Sequence, residues 1–214
     1  MEPHSSENAD RRERTSHRAT SMPLRNESET LQAHRDVLQP LLDDHRLARD
    51  ALSAMERRVV EERLERPVRP GFWQDALAFF EGYFEQVHHR FEDDHVLPAL
   101  EDAGFAPQGS ATRIMKQEHE RMGPFLQHLR VAIGRGDPYE LRATVQSFVA
   151  LHRQHLDREE HNVFPLLRAT IARDEHCELA MRIEQLEADP SGERHEAERL
   201  LEAMCRGARS SNKD

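Results

Sequence analysis

From residue 31 onward, apolar residues recur at spacings of three and four, which is the period of one face of a helix. Leu38, Leu41, His45, Ala48, Leu52, Met55 and Val59 make the first stripe, with Pro40 placed either to begin this helix or to kink it. Pro67, Pro70 and Gly71 close it, and a second stripe over residues 72–101 carries Leu77, Phe80, Phe84, His88, Phe91 and His95. Ser110 stands where it can cap a third helix, whose stripe is Met115, His119, Met122, Leu126, Leu129 and Ile133, and Gly123 with Pro124 is expected to bend it. After "GRGDP", Asp137 as cap and Pro138 at the first helical position start a fourth, with Leu141, Val145, Phe148, His152, His155, Glu159, Val163 and Leu166 on one face. "ADPSGE" then separates a last amphipathic stretch over residues 191–207.

Four helices of about 25 to 35 residues with short links predict an all-α protein, an up-down-up-down four-helix bundle over residues 30–187. An extra C-terminal helix within residues 188–207 is expected to pack on that bundle, with residues 208–214 as a tail. Residues 1–29 are rich in Ser, Arg and Glu and carry no stripe, so a disordered N-terminal tail is expected there.

Composition agrees with helices: 37% of residues are apolar, 33% charged and only nine are Gly. The formal charge of −10, with Arg interspersed among Asp and Glu, argues against a nucleic-acid partner. No apolar run is long enough to span a bilayer, and the first twenty residues lack the apolar centre of a signal peptide, so the expected location is the cytoplasm with no membrane partner. Cys177 and Cys205 have no CxxC spacing and indicate neither a disulfide framework nor a thiolate metal site. The unusual count is 14 His, many of them inside the helical stripes.

Two of those His belong to a repeat. "HHRFEDDHVLPAL" at 88–100 and "HLDREEHNVFPLL" at 155–167 align without gaps at an offset of 67 residues, pairing His88 with His155, Glu92 with Glu159, Val96 with Val163, Pro98 with Pro165 and Leu100 with Leu167. An H-x3-E pair alone says little, since roughly 1.7 are expected by chance in a chain so rich in both residues. The added Pro ten residues after each His, and the placement of both pairs on a core-facing stripe, are what chance does not supply. Residues four apart on a helix lie one above the other, so each pair presents an imidazole and a carboxylate from one face. His45 and His119, 74 residues apart, repeat on the two preceding stripes, which suggests two similar hairpins related by an approximate twofold.

Four imidazoles and two carboxylates converging in a bundle would be costly with nothing bound, because buried ionised carboxylates need a partner. A metal supplies it. Two ions with carboxylates bridging between helices fit the set more naturally than one ion with six ligands. Imidazole and carboxylate without thiolate suit iron, with manganese and zinc as competitors. Four nitrogens, four carboxylate oxygens and a bridging water or oxide fill about ten of twelve octahedral positions, leaving roughly two for small-molecule chemistry. His89 and Asp93 form a competing pair displaced by one residue, but Leu156 stands where its copy would need His, so this register is set aside. His152, one turn before His155, is read as a polar core residue, with an outer or fifth-nitrogen role as its alternative. Asp44 and Glu118 are read mainly as solvated charge, because a step of one residue turns about 100° away from the ligand beside each, with orienting an imidazole on an adjacent helix as the alternative.

The paired H-x3-E-[ED]-x4-P segments with lone His on the first and third helices resemble the hemerythrin-like family, or HHE cation-binding domain, over about residues 31–204. The resemblance implies that His45, His88, Glu92, His119, His155 and Glu159 are ligands of an oxo- or hydroxo-bridged di-iron centre that binds oxygen, nitric oxide or oxidants. Gly123 stands where oxygen-carrying members have a second His, and the four-His, two-Glu set is more similar to bacterial members linked to nitric-oxide stress and iron-centre repair. The expected function is therefore a dinuclear iron protein that binds or senses oxygen, nitric oxide or cellular iron. A ferroxidase or peroxide-consuming enzyme, a repair protein, and a zinc-bound or metal-free interaction module are the alternatives.

Overall fold

Pro40 sits in the first turn of helix α1 (Gln39–Glu61), where a missing N–H costs no hydrogen bond. The computed structural model describes residues 36–62, 68, 70–105, 111–171 and 178–210, which form an all-α bundle with no strand among the described residues. The expected N-terminal tail, the cap at Ser110, Cys177 and residues 211–214 lie outside the described residues. No helix among them is long and apolar enough to cross a membrane.

The second rod departs from regular α geometry. Helix α2 (Pro70–Ala78) runs into a π-helical segment, Phe79–His89, and a second one, Glu92–Val96, precedes α3 (Leu97–Asp102). The fourth rod repeats the shorter feature, because α5 (Pro138–Arg158) passes into the π segment Glu159–Val163 before α6 (Phe164–Ile171). Both short π segments begin at the repeated Glu and end just ahead of the repeated Leu-Pro or Phe-Pro. Pro98 and Pro165 have no N–H for the carbonyl four residues back, and their rings crowd it. The turn widens instead: the Leu97 N–H bonds the Glu92 carbonyl, and the Phe164 N–H bonds the Glu159 carbonyl. The repeated proline thus acts on the backbone of the repeated glutamate itself.

Helix α4 (Ala111–Arg135) continues through Gly123 and Pro124 and packs along α5. Asp137 caps α5 as expected, accepting from the backbone N–H groups of Tyr139 at 2.9 Å and Glu140 at 3.1 Å. Asp137→Ala should lower stability by about 1 kcal/mol, within the ordinary range for a lost N-cap, as an earlier midpoint in urea with unchanged slope. Helix α7 (Glu178–Glu187) lies against α1, and α8 (Glu193–Ser210) packs on α1, α2 and the long π segment. The last helix therefore extends three residues past the expected limit of 207.

Two apolar clusters fill the interior. One gathers Trp73, Phe79, Phe80, Phe84, Met122, Leu126 and Phe148 and is completed by Ala197, Leu200, Leu201 and Met204 of α8. The other holds Leu38, Leu41, Val96, Leu100, Met115, Val163, Phe164 and Leu167. A polar layer touches both: the His45 ring stacks on Phe164 at 5.0 Å, and the His88 ring meets Phe84 at 4.8 Å.

Candidate metal centre

That layer contains all six residues singled out from the repeat. His45, His88, His155, Glu92 and Glu159 are at most 1% exposed, and His119 is 6% exposed. The two carboxylates stand between the imidazoles. Glu92 has Oε1 3.5 Å from His88 Nε2 and Oε2 3.4 Å from His119 Nε2. Glu159 has Oε2 3.3 Å from His45 Nε2, while its Oε1 lies 3.1 Å from His155 Nε2 and 3.7 Å from His119 Nε2. Each carboxylate therefore faces imidazoles from both hairpins with opposite oxygens, which is the disposition of a bridge.

Donor atoms fall into two groups, each with all its members within 4.8 Å of one another: His45, His88, Glu92 and Glu159 form one, and His89, Glu92, His119 and His155 the other. His89 was set aside on register and is brought in by the structure. It is 2% exposed, beside the fully buried His88. In an α-helix consecutive residues diverge by about 100°. Both His end the long π segment, whose wider turns reduce that divergence and let two neighbours face the interior. The signal in the sequence was the pair His88 and His89, but the repeat carries Leu156 where a copy of His89 would stand.

A second arrangement explains how the imidazoles are aimed. His45 Nδ1 lies 2.9 Å from Glu160 Oε1, His88 Nδ1 3.1 Å from Asp44 Oδ2, His119 Nδ1 3.0 Å from Asp93 Oδ1, and His155 Nδ1 3.3 Å from Glu118 Oε2. His89 follows suit, with Nδ1 3.2 Å from Glu85 Oε1. A carboxylate on Nδ1 fixes that nitrogen as the donor and leaves the lone pair on Nε2, the tautomer a cation requires. The contacts obey the repeat: the residue after each glutamate holds the lone His, and the acid before each lone His holds the His of the pair. Asp44 and Glu118, expected as solvated charge, are 0% and 5% exposed and are corrected to this role. A 100° step on their own helix pointed them away from the site, but the imidazole they hold belongs to a neighbouring rod.

The inner atoms have no such partners. Nε2 of His45, His88, His89, His119 and His155 and both oxygens of Glu92 and Glu159 are buried with no hydrogen bond from the protein. Nine unsatisfied donors in one place would each cost about 1–3 kcal/mol if left so, and more for the charged ones. Their chemistry, imidazole lone pairs and carboxylates, is that of a cation site, and the residues fit a bound metal.

Charge within the layer is uneven. Burial opposes protonation of His45, but Glu159 and Glu160 beside its two nitrogens raise it to about 9. Burial opposes His119 too, and Asp93, Glu159 and Glu92 outweigh it, raising that imidazole to about 12. His155 goes the other way, to about 4, because burial outweighs its carboxylate neighbour. His89 is held well below the usual range by burial and by the imidazoles around it. The carboxylates around them thus favour positive charge at His45 and His119, a charge that a bound metal would supply in its place.

Tyr83, Asp44 and Arg194 extend the site outward. Asp44 accepts from the Tyr83 hydroxyl at 2.8 Å and pairs with Arg194 Nη1 at 3.1 Å. Arg194 comes from the first turn of α8, which Asp189, in the left-handed region with φ 44°, holds by accepting from the backbone N–H groups of Arg194 and His195. On the far side, Arg158 pairs with Glu118, and Glu160 binds Arg49 Nη1 at 2.5 Å. A polar surface groove of about 620 Å³, lined by residues that include Glu118, Arg121, Gln154 and Arg158, approaches the cluster at Glu118.

The model of the hemerythrin HHE cation-binding domain matches residues 36–167. No match was found among curated proteins or among solved structures. The matched span is more than half of the chain and contains every residue of the cluster just described, and the chain belongs to the hemerythrin HHE cation-binding domain family.

Proposed function

We propose that this protein holds two iron ions side by side through His45, His88, Glu92, His119, His155 and Glu159, and through them binds or senses a small diatomic, oxygen or nitric oxide. The observation that carries the reading is the convergence of unpartnered Nε2 and carboxylate atoms into two groups that share Glu92. A donor set of imidazole and carboxylate without thiolate favours iron over softer ions, with manganese and zinc next. Bound ferrous iron would supply the electrons that a diatomic accepts.

The protein's own part is to bind, orient and keep dry. Glu92 and Glu159 would hold the ions between the hairpins, and Glu160, Asp44, Asp93 and Glu118 orient His45, His88, His119 and His155 with the lone pair inward. Phe84 and Phe164 wall the imidazoles on two sides and exclude water there. Such a closed, rigid layer suits reversible binding better than the passage of bulky substrates.

The test is metal analysis on protein purified without oxygen and supplied with iron(II), followed by optical spectra on exposure to oxygen and to nitric oxide. About two irons per chain, with oxo-bridge charge-transfer bands on oxidation, are expected. Stoichiometric zinc, or no metal, would sink the iron reading. Repeated turnover of iron(II) or peroxide would move the protein to the enzymes.

A further inference from the structure

Iron that gives electrons to a diatomic needs a donor that returns them, and the buried imidazoles leave a bulky donor nothing to touch. Electrons therefore have to cross the wall of the bundle. Four carboxylates link the imidazoles of His45, His88, His119 and His155 to what lies outside them, and the four places differ in their surroundings.

Asp44 is covered by Tyr83 and by Arg194 of α8. Asp93 reaches the surface beside Asp94, which takes up Arg90, and its charge acts on Glu85 together with that of Glu81. Glu160 shares Arg49 with Asp157, so one cation there answers two acids. Both of these exits are acidic. Glu118 is different, because Arg158 already meets its charge and the groove between α4 and α5 opens directly in front of it. Arg113, Lys116 and Arg121 stand exposed on α4 around that groove, and among the described residues none of the three pairs with an acid. Against these four cations the face sets Glu118 and Glu120, a local excess of positive charge on a chain whose formal charge is −10. Ile114, 42% exposed at the groove, adds an apolar contact among them.

We propose that the α4–α5 groove is the docking surface of an acidic one-electron carrier protein, which reduces the oxidised centre across Glu118 and His155. The link is short: Glu118 lines the groove and its Oε2 lies 3.3 Å from His155 Nδ1. In each encounter the carrier loses one electron and one ferric ion becomes ferrous, so two encounters restore both ions and no bond forms between the proteins. Opposite charges bring the partners together and fix their orientation, and apolar contact at Ile114 then holds them.

The inference rests on the two-iron reading, and docking to metal-free protein separates the two. Reduced plant-type ferredoxin, an acidic iron–sulfur protein, serves as the probe. Calorimetry measures its binding to the full-length metal-free protein, and stopped-flow spectra follow its reduction of the iron-loaded, oxidised protein. The wild type should bind it saturably, and added salt should weaken docking. Arg121→Glu and Arg113→Glu should each raise the dissociation constant and the half-saturating ferredoxin concentration by about tenfold, with the limiting rate unchanged. Arg57→Glu makes the same change in net charge on an exposed part of α1 outside the groove, and should alter both by less than about twofold. Equal losses in all three variants would mean attraction by net charge with no seat at the groove, and would overturn the proposal. So would wild-type docking in both groove variants, or weakened docking with unchanged half-saturation, which would send the electrons in elsewhere. Loss of docking in millimolar sulfate at constant ionic strength would make the groove a small-anion site and remove the protein partner. If two irons bind, each of these results strikes this inference alone; if they do not, the two-iron reading fails and the electron transfer fails with it, whatever the metal-free protein docks.

Discussion

Changing Glu92 and Glu159 together to Gln is expected to abolish stoichiometric metal binding while leaving the helical fold intact. Among the described residues these two side chains provide the carboxylate oxygens of the inner layer, and each spans imidazoles from both hairpins. Loss of a residue that merely orients a ligand typically weakens metal binding by about 10–100-fold. Loss of both bridging anions should exceed that, and competition with a chelator of known affinity measures it. The fold should survive because Gln conserves shape, and His45 and His119, whose raised protonation depends on these carboxylates, can become neutral once the charges are gone. The metal-free double variant should therefore still unfold cooperatively in urea, with a midpoint near that of the metal-free wild type. Retention of about two ions per chain at unchanged affinity would show that other groups hold the metal.

Much of the centre could be read from the chain because the repeat constrains it twice. The H-x3-E spacing placed His88 with Glu92 and His155 with Glu159 on the core side of their rods, and the structure brings both pairs together with His45 and His119. The all-α fold followed from stripes at three and four, since Leu41, Leu52, Phe80, Leu126 and Phe148, the residues that define them, are the buried ones. Proline at the same place in both copies looked like a helix breaker. Its effect is more local, a widened turn starting at each repeated glutamate.

What stayed hidden depended on facts that one helix does not contain. His89 was set aside because Leu156 stands where its copy in the repeat would need His, and nothing in the chain's spacing marks the π segment that turns it inward beside His88. Asp44 and Glu118 were put down mainly to solvated charge by the direction they take on their own rods, and the alternative, an imidazole on an adjacent rod, is what His88 and His155 supply. Arg194 is more remote still: 150 residues separate it from Asp44 in the chain, and only the docking of α8 reveals the contact. Periodicity reports which face is buried; it is silent on which neighbour fills it.

Asp44→Ala is expected to be the most damaging single change outside the metal donors, costing about 3–5 kcal/mol of stability and weakening metal binding by about 10–100-fold. Asp44 is 0% exposed, and its two oxygens take three donors from three parts of the chain: His88 Nδ1 at 3.1 Å, the Tyr83 hydroxyl at 2.8 Å and Arg194 Nη1 at 3.1 Å. Alanine removes the acceptor of all three, and the Arg194 guanidinium, only 15% exposed and left with the longer 3.7 Å contact to Glu198, is the largest part of the expected cost. It also frees His88 to turn or to change tautomer, which is how the metal affinity falls. Asp44→Asn and Arg194→Gln divide the two effects. Asn keeps an acceptor of similar shape but gives His88 a weaker anchor and leaves Arg194 only the longer contact to Glu198 as counter-charge, so both properties should fall, each by less than with Ala. Arg194→Gln leaves the Asp44–His88 contact in place, so α8 should loosen and stability drop while metal affinity stays near wild type. Urea unfolding of the metal-free proteins and chelator competition of the loaded ones give the two readouts. Wild-type affinity in Asp44→Ala would show that His88 is held by its packing against Phe84 and that the buried carboxylate serves only to dock the last helix.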